Sequence, residues 1–138
     1  MADSKTVRLE VITPERTFYD KDVEMVELTT TEGDIGIYPE HISLTTIVAP
    51  GILTITENKD EKKKASLLEG FLEITPTKVT ILAQACEWPE EIDVHRAEEA
   101  KIRAERRIQH ADERVNMTRA ELALKRSLVR LDVASMKD

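Results

Sequence analysis

The sequence predicts an N-terminal antiparallel β-sandwich followed by a C-terminal antiparallel α-helical hairpin. Three observations predict it. Before residue 88 the chain is a series of short apolar runs rich in Val, Ile and Thr, separated by Gly, Pro and Asn turn signals. After Pro89 it changes to Ala, Glu, Arg, Lys and Leu with apolar residues at three- and four-residue steps. Charge divides at the same place. Residues 1–87 carry nine Lys/Arg against sixteen Asp/Glu, and residues 88–138 carry eleven of each, so the whole net charge of −7 belongs to the first part. The expected domains are a sandwich over 1–87 and a hairpin over 88–138, with helices at about 93–110 and 118–135.

In chain order, Val7-Arg8-Leu9-Glu10-Val11-Ile12-Thr13 alternates apolar and polar, as a half-buried strand does, and Pro14 ends it. Val23 to Leu28 repeats the pattern. Gly33 and Gly36 mark a tight turn or bulge before Tyr38-Pro39. Ile42 to Val48 is the next strand, and Pro50-Gly51 the next turn. Ile52–Thr56 and Ala65–Leu68 flank Asn58 to Lys64, read as a charged hairpin tip. Gly70–Ile74 and Lys78–Ala83 complete a set of short strands that only a sandwich or barrel can bury.

Pro89 cannot continue a strand ladder, and Asp93 is a good helix N-cap. From there Ala97, Ala100, Ala104, Ile108 and Ala111 form a narrow stripe of small residues. His110 to Asn116 is the connection. Thr118-Arg119-Ala120-Glu121 has capping-box spacing, so the second helix is expected to begin there. Its stripe is Met117, Ala120, Leu124, Leu128, Leu131 and Ala134. Alanine buries little area at about 25 cal/mol per Å², so the two helices should hold each other weakly.

Composition narrows the function. An acidic body argues against a nucleic-acid binder, whose affinity comes from neutralising phosphates. The single cysteine, Cys86, excludes an intrachain disulfide and reads as buried and structural rather than nucleophilic. No leader-like segment opens the chain, and no apolar run is long enough to insert into a membrane. A cytosolic protein, or one held at a membrane by a partner, is expected. His41, His95 and His110 match no metal-ligand spacing, and no Gly-rich phosphate loop is present. Lys62-Lys63-Lys64 reads as a solvated tip. Arg96 and Arg103 share one face of the first helix, and Arg119, Arg126 and Arg130 one face of the second. Folded together they could converge beside Asp93 as an anion site, although spacing alone favours surface pairs with Glu98, Glu99 and Glu121.

Six stretches, taken in order, resemble the epsilon subunit of F-type ATP synthases, most closely that of Bacillus-like bacteria. They are Ile12-Thr13-Pro14-Glu15, the run from Glu32 to His41, Gly70-Phe71-Leu72-Glu73-Ile74, Lys78 to Ala85, Ile92-Asp93-Val94-His95-Arg96-Ala97 and Arg119 to Arg126. The chain departs from the family at Glu40, where many members have Gly, and at Glu69, where a Gly pair usually precedes the Phe.

The resemblance implies a non-catalytic rotor subunit at the cytoplasmic face of the bacterial cell membrane, coupling proton or sodium flow to ATP synthesis. Its implied partners are the gamma subunit, the c-subunit ring and, when the hairpin extends, the catalytic alpha and beta subunits. Asp34, Tyr38 and His41 match the loop that approaches the c-ring. The I-D-x-x-R-A pattern matches members whose folded hairpin binds ATP, with or without Mg, as a regulatory ligand. Carried over by position, Glu87, Ile92, Asp93, Arg96, Ala97, Arg103, Arg126 and Arg130 would line that site. No catalytic residue and no metal site is implied. The alternative is a free-standing ATP-sensing adaptor without a rotary partner.

Overall fold

The computed structural model describes residues 5–111 and 116–137. The N-terminal sandwich and C-terminal hairpin expected from the sequence are both present, and the chain divides into two compact units, Met1–Glu87 and Trp88–Asp138.

In the first unit the strands are β1 (Val7–Ile12), β2 (Thr17–Val23), β3 (Met25–Thr30), β4 (Gly33–Ile37), β5 (Leu44–Val48), β6 (Gly51–Asn58), β7 (Glu61–Leu67), β8 (Gly70–Ile74), β9 (Lys78–Ala83) and β10 (Cys86–Glu87). They hydrogen-bond in the order β10-β7-β6-β3-β5-β8-β9-β1-β2, with β4 on β3. All pairs are antiparallel except β1 with β9. The ladder changes layer along β3, whose Met25–Glu27 pairs with β6 while Thr30 pairs with Val48 of β5. Alternate residues from both layers fill one core, including Leu9, Val26, Ile37, Leu53, Ile55, Leu72, Ile74 and Ile81, all 1% exposed or less.

Several sequence expectations shift. The run from Val23 to Leu28 is not one strand: β2 ends at Val23 and β3 begins at Met25, and Glu24 between them donates its amide to Thr56 O at 2.8 Å. Strands β2 and β10 were not anticipated. Gly33 is the turn glycine, at φ 119, whereas Gly36 lies inside β4 opposite Glu27. The charged tip shrinks to Lys59-Asp60, and Lys62-Lys63-Lys64 belong to β7 opposite Thr56, Ile55 and Thr54. Ile42 precedes β5 and is 80% exposed. Cys86 is buried in β10, as expected.

One polar knot fastens the β2 edge to the other layer. The Tyr19 hydroxyl donates to Glu57 Oε2, which also receives Lys63 Nζ at 3.4 Å and Lys21 Nζ at 4.0 Å. Burial and the Glu57 bond both push the Tyr19 pKa up. The Tyr19 bond, helped by Lys63, holds the Glu57 carboxyl below its usual range.

The second unit opens with a 3-10 turn, Pro89–Glu91, followed by helix α1 (Val94–Gln109) and helix α2 (Met117–Ala134). The helices pack on each other, and the 3-10 turn packs on α2, so the C-terminal half of α2 runs beside the first turns of α1. Asp93 is the N-cap of α1, accepting from Arg96 N at 3.1 Å. The cap of α2 is Asn116, which accepts from Arg119 N at 3.1 Å, so the helix begins ahead of the Thr118 box. Part of the expected connection, residues 112–115, lies outside the described residues.

The buried residues of α1 are Ala97 and Ala104, and those of α2 are Ala120, Ser127 and Val133. Ser127 replaces Leu128 in the expected stripe. Leu128 is 45% exposed, while the Ser127 hydroxyl donates to Ala123 O at 3.1 Å and so satisfies itself when buried. Ala97 to Ala104 and Ala120 to Ser127 are both seven-residue steps, so antiparallel helices meet through two layers of small residues.

Candidate functional site

The seam between the two parts is built from consecutive local bonds. Trp88 donates its amide to Glu91 Oε1 at 2.9 Å, and Ile92 donates to Pro89 O at 3.4 Å, closing the 3-10 turn. Asp93 then stops the turn and starts α1 with one carboxylate oxygen on Arg96 N. This places a carboxylate and a guanidinium within the first turn, at the end where helix amides present partial positive charge.

Seven of the eight residues carried over for the nucleotide site lie in the hairpin unit. Ile92 and Ala97 are buried, at 7% and 4% exposure, and give that end of the hairpin an apolar base. Asp93, Arg96 and Arg103 are exposed on the α1 side, Arg103 two turns beyond Arg96. Arg126 and Arg130 are half-buried, one turn apart on the half of α2 that runs beside the start of α1. The eighth, Glu87, closes β10 in the sandwich unit, where its carbonyl accepts from Ser66 Oγ at 3.4 Å. Glu99, expected as an arginine partner, instead pairs with His95 at 3.1 Å.

The expected c-ring loop divides. Asp34 is not in a loop but in β4, next to the β3–β4 turn, where it accepts from Thr29 Oγ1 at 2.8 Å. Tyr38 and His41 lie beyond the other end of β4. Tyr38 is 58% exposed, and His41 is half-buried with Nδ1 2.9 Å from Ile42 O. Between them Glu40 takes φ 64, a left-handed conformation, with its amide on Pro76 O at 3.0 Å and its carboxylate on Lys5 Nζ at 3.0 Å. Among the described residues, no group of three or more His, Cys, Asp or Glu is placed to hold a metal ion, and no helix is long and apolar enough to cross a membrane.

A sandwich joined to a two-helix hairpin by a capped seam defines a two-part architecture, and each part has its own match. Residues 6–89 match the beta-sandwich domain of the ATP synthase delta/epsilon chain, and residues 90–135 match its long alpha-helix domain. The chain is 47% identical to the ATP synthase epsilon chain of Caldanaerobacter subterraneus subsp. tengcongensis, covering 95% of each chain. It is 46% identical to that of Halalkalibacterium halodurans, covering 94% of this chain and 97% of that one. With the epsilon chain of Bacillus cytotoxicus it shares 43%, over 96% and 99%. The chain belongs to the ATP synthase epsilon-chain family. Its fold is also similar to a chain in the cryo-EM structure of the Euglena gracilis mitochondrial ATP synthase, described as OSCP/F1/c-ring. That match has a TM-score of 0.81 at 23% identity, covering 99% of this chain and 85% of that one.

Proposed function

We propose that this chain is a non-catalytic central-stalk subunit of a proton- or sodium-translocating F-type ATP synthase, peripheral to the cytoplasmic face of a bacterial membrane. Its two domains, 1–87 and 88–138, divide the work. The sandwich turns with the gamma subunit and the c-ring, meeting the ring through Tyr38 and His41 beyond the end of β4. The hairpin restrains ATP hydrolysis by extending toward the catalytic alpha and beta subunits. The observation that carries this reading is likeness to epsilon chains over nearly the whole length of both proteins. The segment from Thr118 to Arg130, with four Lys/Arg and one Glu, suits an acidic partner surface.

In this reading ATP, with or without Mg, is a signal and not a substrate. Arg96, Arg103, Arg126 and Arg130 provide guanidinium groups for phosphate oxygens. One Asp93 oxygen is committed to capping α1, and the other suits the adenine amino group or a ribose hydroxyl. Ile92 and Ala97 offer apolar contact, and Glu87 a further acceptor. ATP favours the folded hairpin only by its higher affinity for that state, so falling ATP releases the arm. ATP titration of the isolated protein, with hydrogen exchange followed over residues 93–135, tests this. Saturable binding with new protection there is expected. No binding at millimolar ATP would remove the nucleotide site and leave the stalk role standing.

A further inference from the structure

The outward side of β3, β4 and β6 carries a cavity at one end. Val26, Ile37 and Ile55 are register partners, each 0% exposed, and they fill the core. Their neighbours Met25, Gly36 and Thr56 therefore face the other way. On that side Lys5, Glu24, Met25, Tyr38, Pro39 and Thr56 line a pocket of about 420 Å³, within the range of small-molecule sites. Met25 lies across Gly36, where a β-carbon would stand 2.9 Å from the terminal methyl of the methionine. The absent side chain is what leaves room for this.

Two polar groups of the lining serve nothing in the fold. Thr56 Oγ1 is shut from solvent and has no hydrogen-bond partner among the described residues. Valine would fill the same space without an unpaired hydroxyl, so the core does not call for threonine here. One turn about χ1 exchanges the methyl and the hydroxyl and gives the oxygen to the pocket. Glu24 donates its backbone amide to Thr56 O at 2.8 Å, which sets the two residues side by side. Its carboxylate has no ion pair among the described residues, whereas Lys5 is engaged by Glu40 at 3.0 Å. The uncommitted charge of the pocket is negative.

We propose that this pocket binds a small organic ammonium compound. The cation meets Glu24, the Thr56 hydroxyl makes a second polar contact, and an aromatic or alkyl body lies against Tyr38, Met25 and Pro39. A carboxylate without a partner selects a cationic donor. A phenol ring and a thioether both suit an aromatic body. An anion of the same shape is rejected, because it would meet Glu24 with Lys5 already spent. The site does not depend on the stalk role and shares only Tyr38 with the proposed ring contact.

NMR titration of the full chain with 2-phenylethylamine tests this, with 2-phenylethanol and 3-phenylpropionate as neutral and anionic probes. Saturable shifts at the Met25 and Thr56 methyls are expected for the amine, with affinity about fivefold or more above the alcohol and no saturation by the carboxylate. Glu24→Gln keeps the backbone bond to Thr56 and should remove the preference for the amine over the alcohol. Thr56→Val should melt higher than wild type yet bind the amine about threefold or more weaker, whereas a merely structural threonine would change stability alone. No saturable shift at tens of millimolar amine, shifts confined to other residues, or equal binding of the three probes overturns the site. Unchanged preference for the amine in folded Glu24→Gln overturns it as well.

Discussion

Glu40 holds a backbone conformation that its side chain opposes, and the cost can be isolated. At φ 64 a residue with a β-carbon is about 1–2 kcal/mol worse off than in its ordinary regions, whereas glycine is indifferent. Glu40→Gly removes that strain but also removes the pair with Lys5, and it loosens the unfolded chain. The pair joins two strongly exposed side chains and is a small term. Glu40→Ala loses the same pair and keeps the strain, so comparing the two variants cancels the carboxylate. The bond from the residue-40 amide to Pro76 O survives in both. Glycine regains about 1–2 kcal/mol of strain and returns about 0.4–1 kcal/mol as unfolded-state entropy, so it should exceed alanine by about 0.5–1 kcal/mol. Urea unfolding of the full chain, followed by a sandwich-specific probe, measures this. Equal midpoints, or alanine the more stable, would refute the reasoning and mean that the loop relaxes at no cost.

Four further outcomes are expected. Asp93→Ala should fray the start of α1 by about 1 kcal/mol and also lose nucleotide affinity, whereas Asp93→Asn keeps the cap and should lose only the affinity. Circular dichroism and ATP titration separate the two, and full affinity in the Asn variant removes the carboxylate from the site. The Glu57 carboxyl is held below its usual range, so its stabilisation is present above the unfolded carboxylate pKa and is lost as pH falls through the folded value. Glu57→Gln should therefore be less stable than wild type at neutral pH, and the gap should close below about pH 4. Tyr19 is raised instead, so its contribution is present below the ordinary tyrosine pKa of about 10 and declines above it. Tyr19→Phe should flatten that alkaline decline in a pH series of melts. Gly70→Ala would set a β-carbon 1.9 Å from Leu82 O, a backbone atom, and should cost roughly 3 kcal/mol or more, read as a collapsed urea midpoint.

The fold was legible wherever one face of an element is plainly apolar. Strand β1 alternates apolar and polar from Val7 to Val11, and the switch of period after Pro89 marks the hairpin. What escaped has local causes. In β2 Phe18 and Tyr19 are buried side by side beside a register shift at Val11/Ile12, so the alternation that announces a strand is broken. In β7 Lys63 stands opposite Ile55 and spends its charge on Glu57, so a strand is disguised as a charged tip. Ser127 is polar in sequence, yet its hydroxyl bonds within the helix and packs like alanine. The proposed nucleotide set rests on family likeness alone, because arginines at helical spacing have the same pattern whether they meet phosphate or water. The exposed apolar row of register partners Ile47, Phe71 and Leu82 escaped for a different reason. Ile47, Phe71 and Leu82 each look like ordinary strand residues, and only the register between strands lines them up.

The size of the hairpin's buried set bears on whether a nucleotide could control it. The fully buried side chains of its two helices are three alanines, one serine and Val133. At about 0.8 kcal/mol per methyl-sized group, with a valine at roughly 2, they supply about 4 kcal/mol of apolar burial. The half-buried leucines add part of theirs, and backbone ordering takes much of the total back. A ligand that binds only the folded hairpin adds about 2.7 kcal/mol at a hundred times its dissociation constant. The two quantities are comparable, so a change in nucleotide concentration could move the balance between folded and extended arms. A hairpin packed through leucine layers would exceed any such ligand term and stay shut. Small residues at Ala97, Ala104, Ala120 and Ser127 therefore do more than let the helices approach: they keep the apolar burial between the helices small enough for the proposed ligand control.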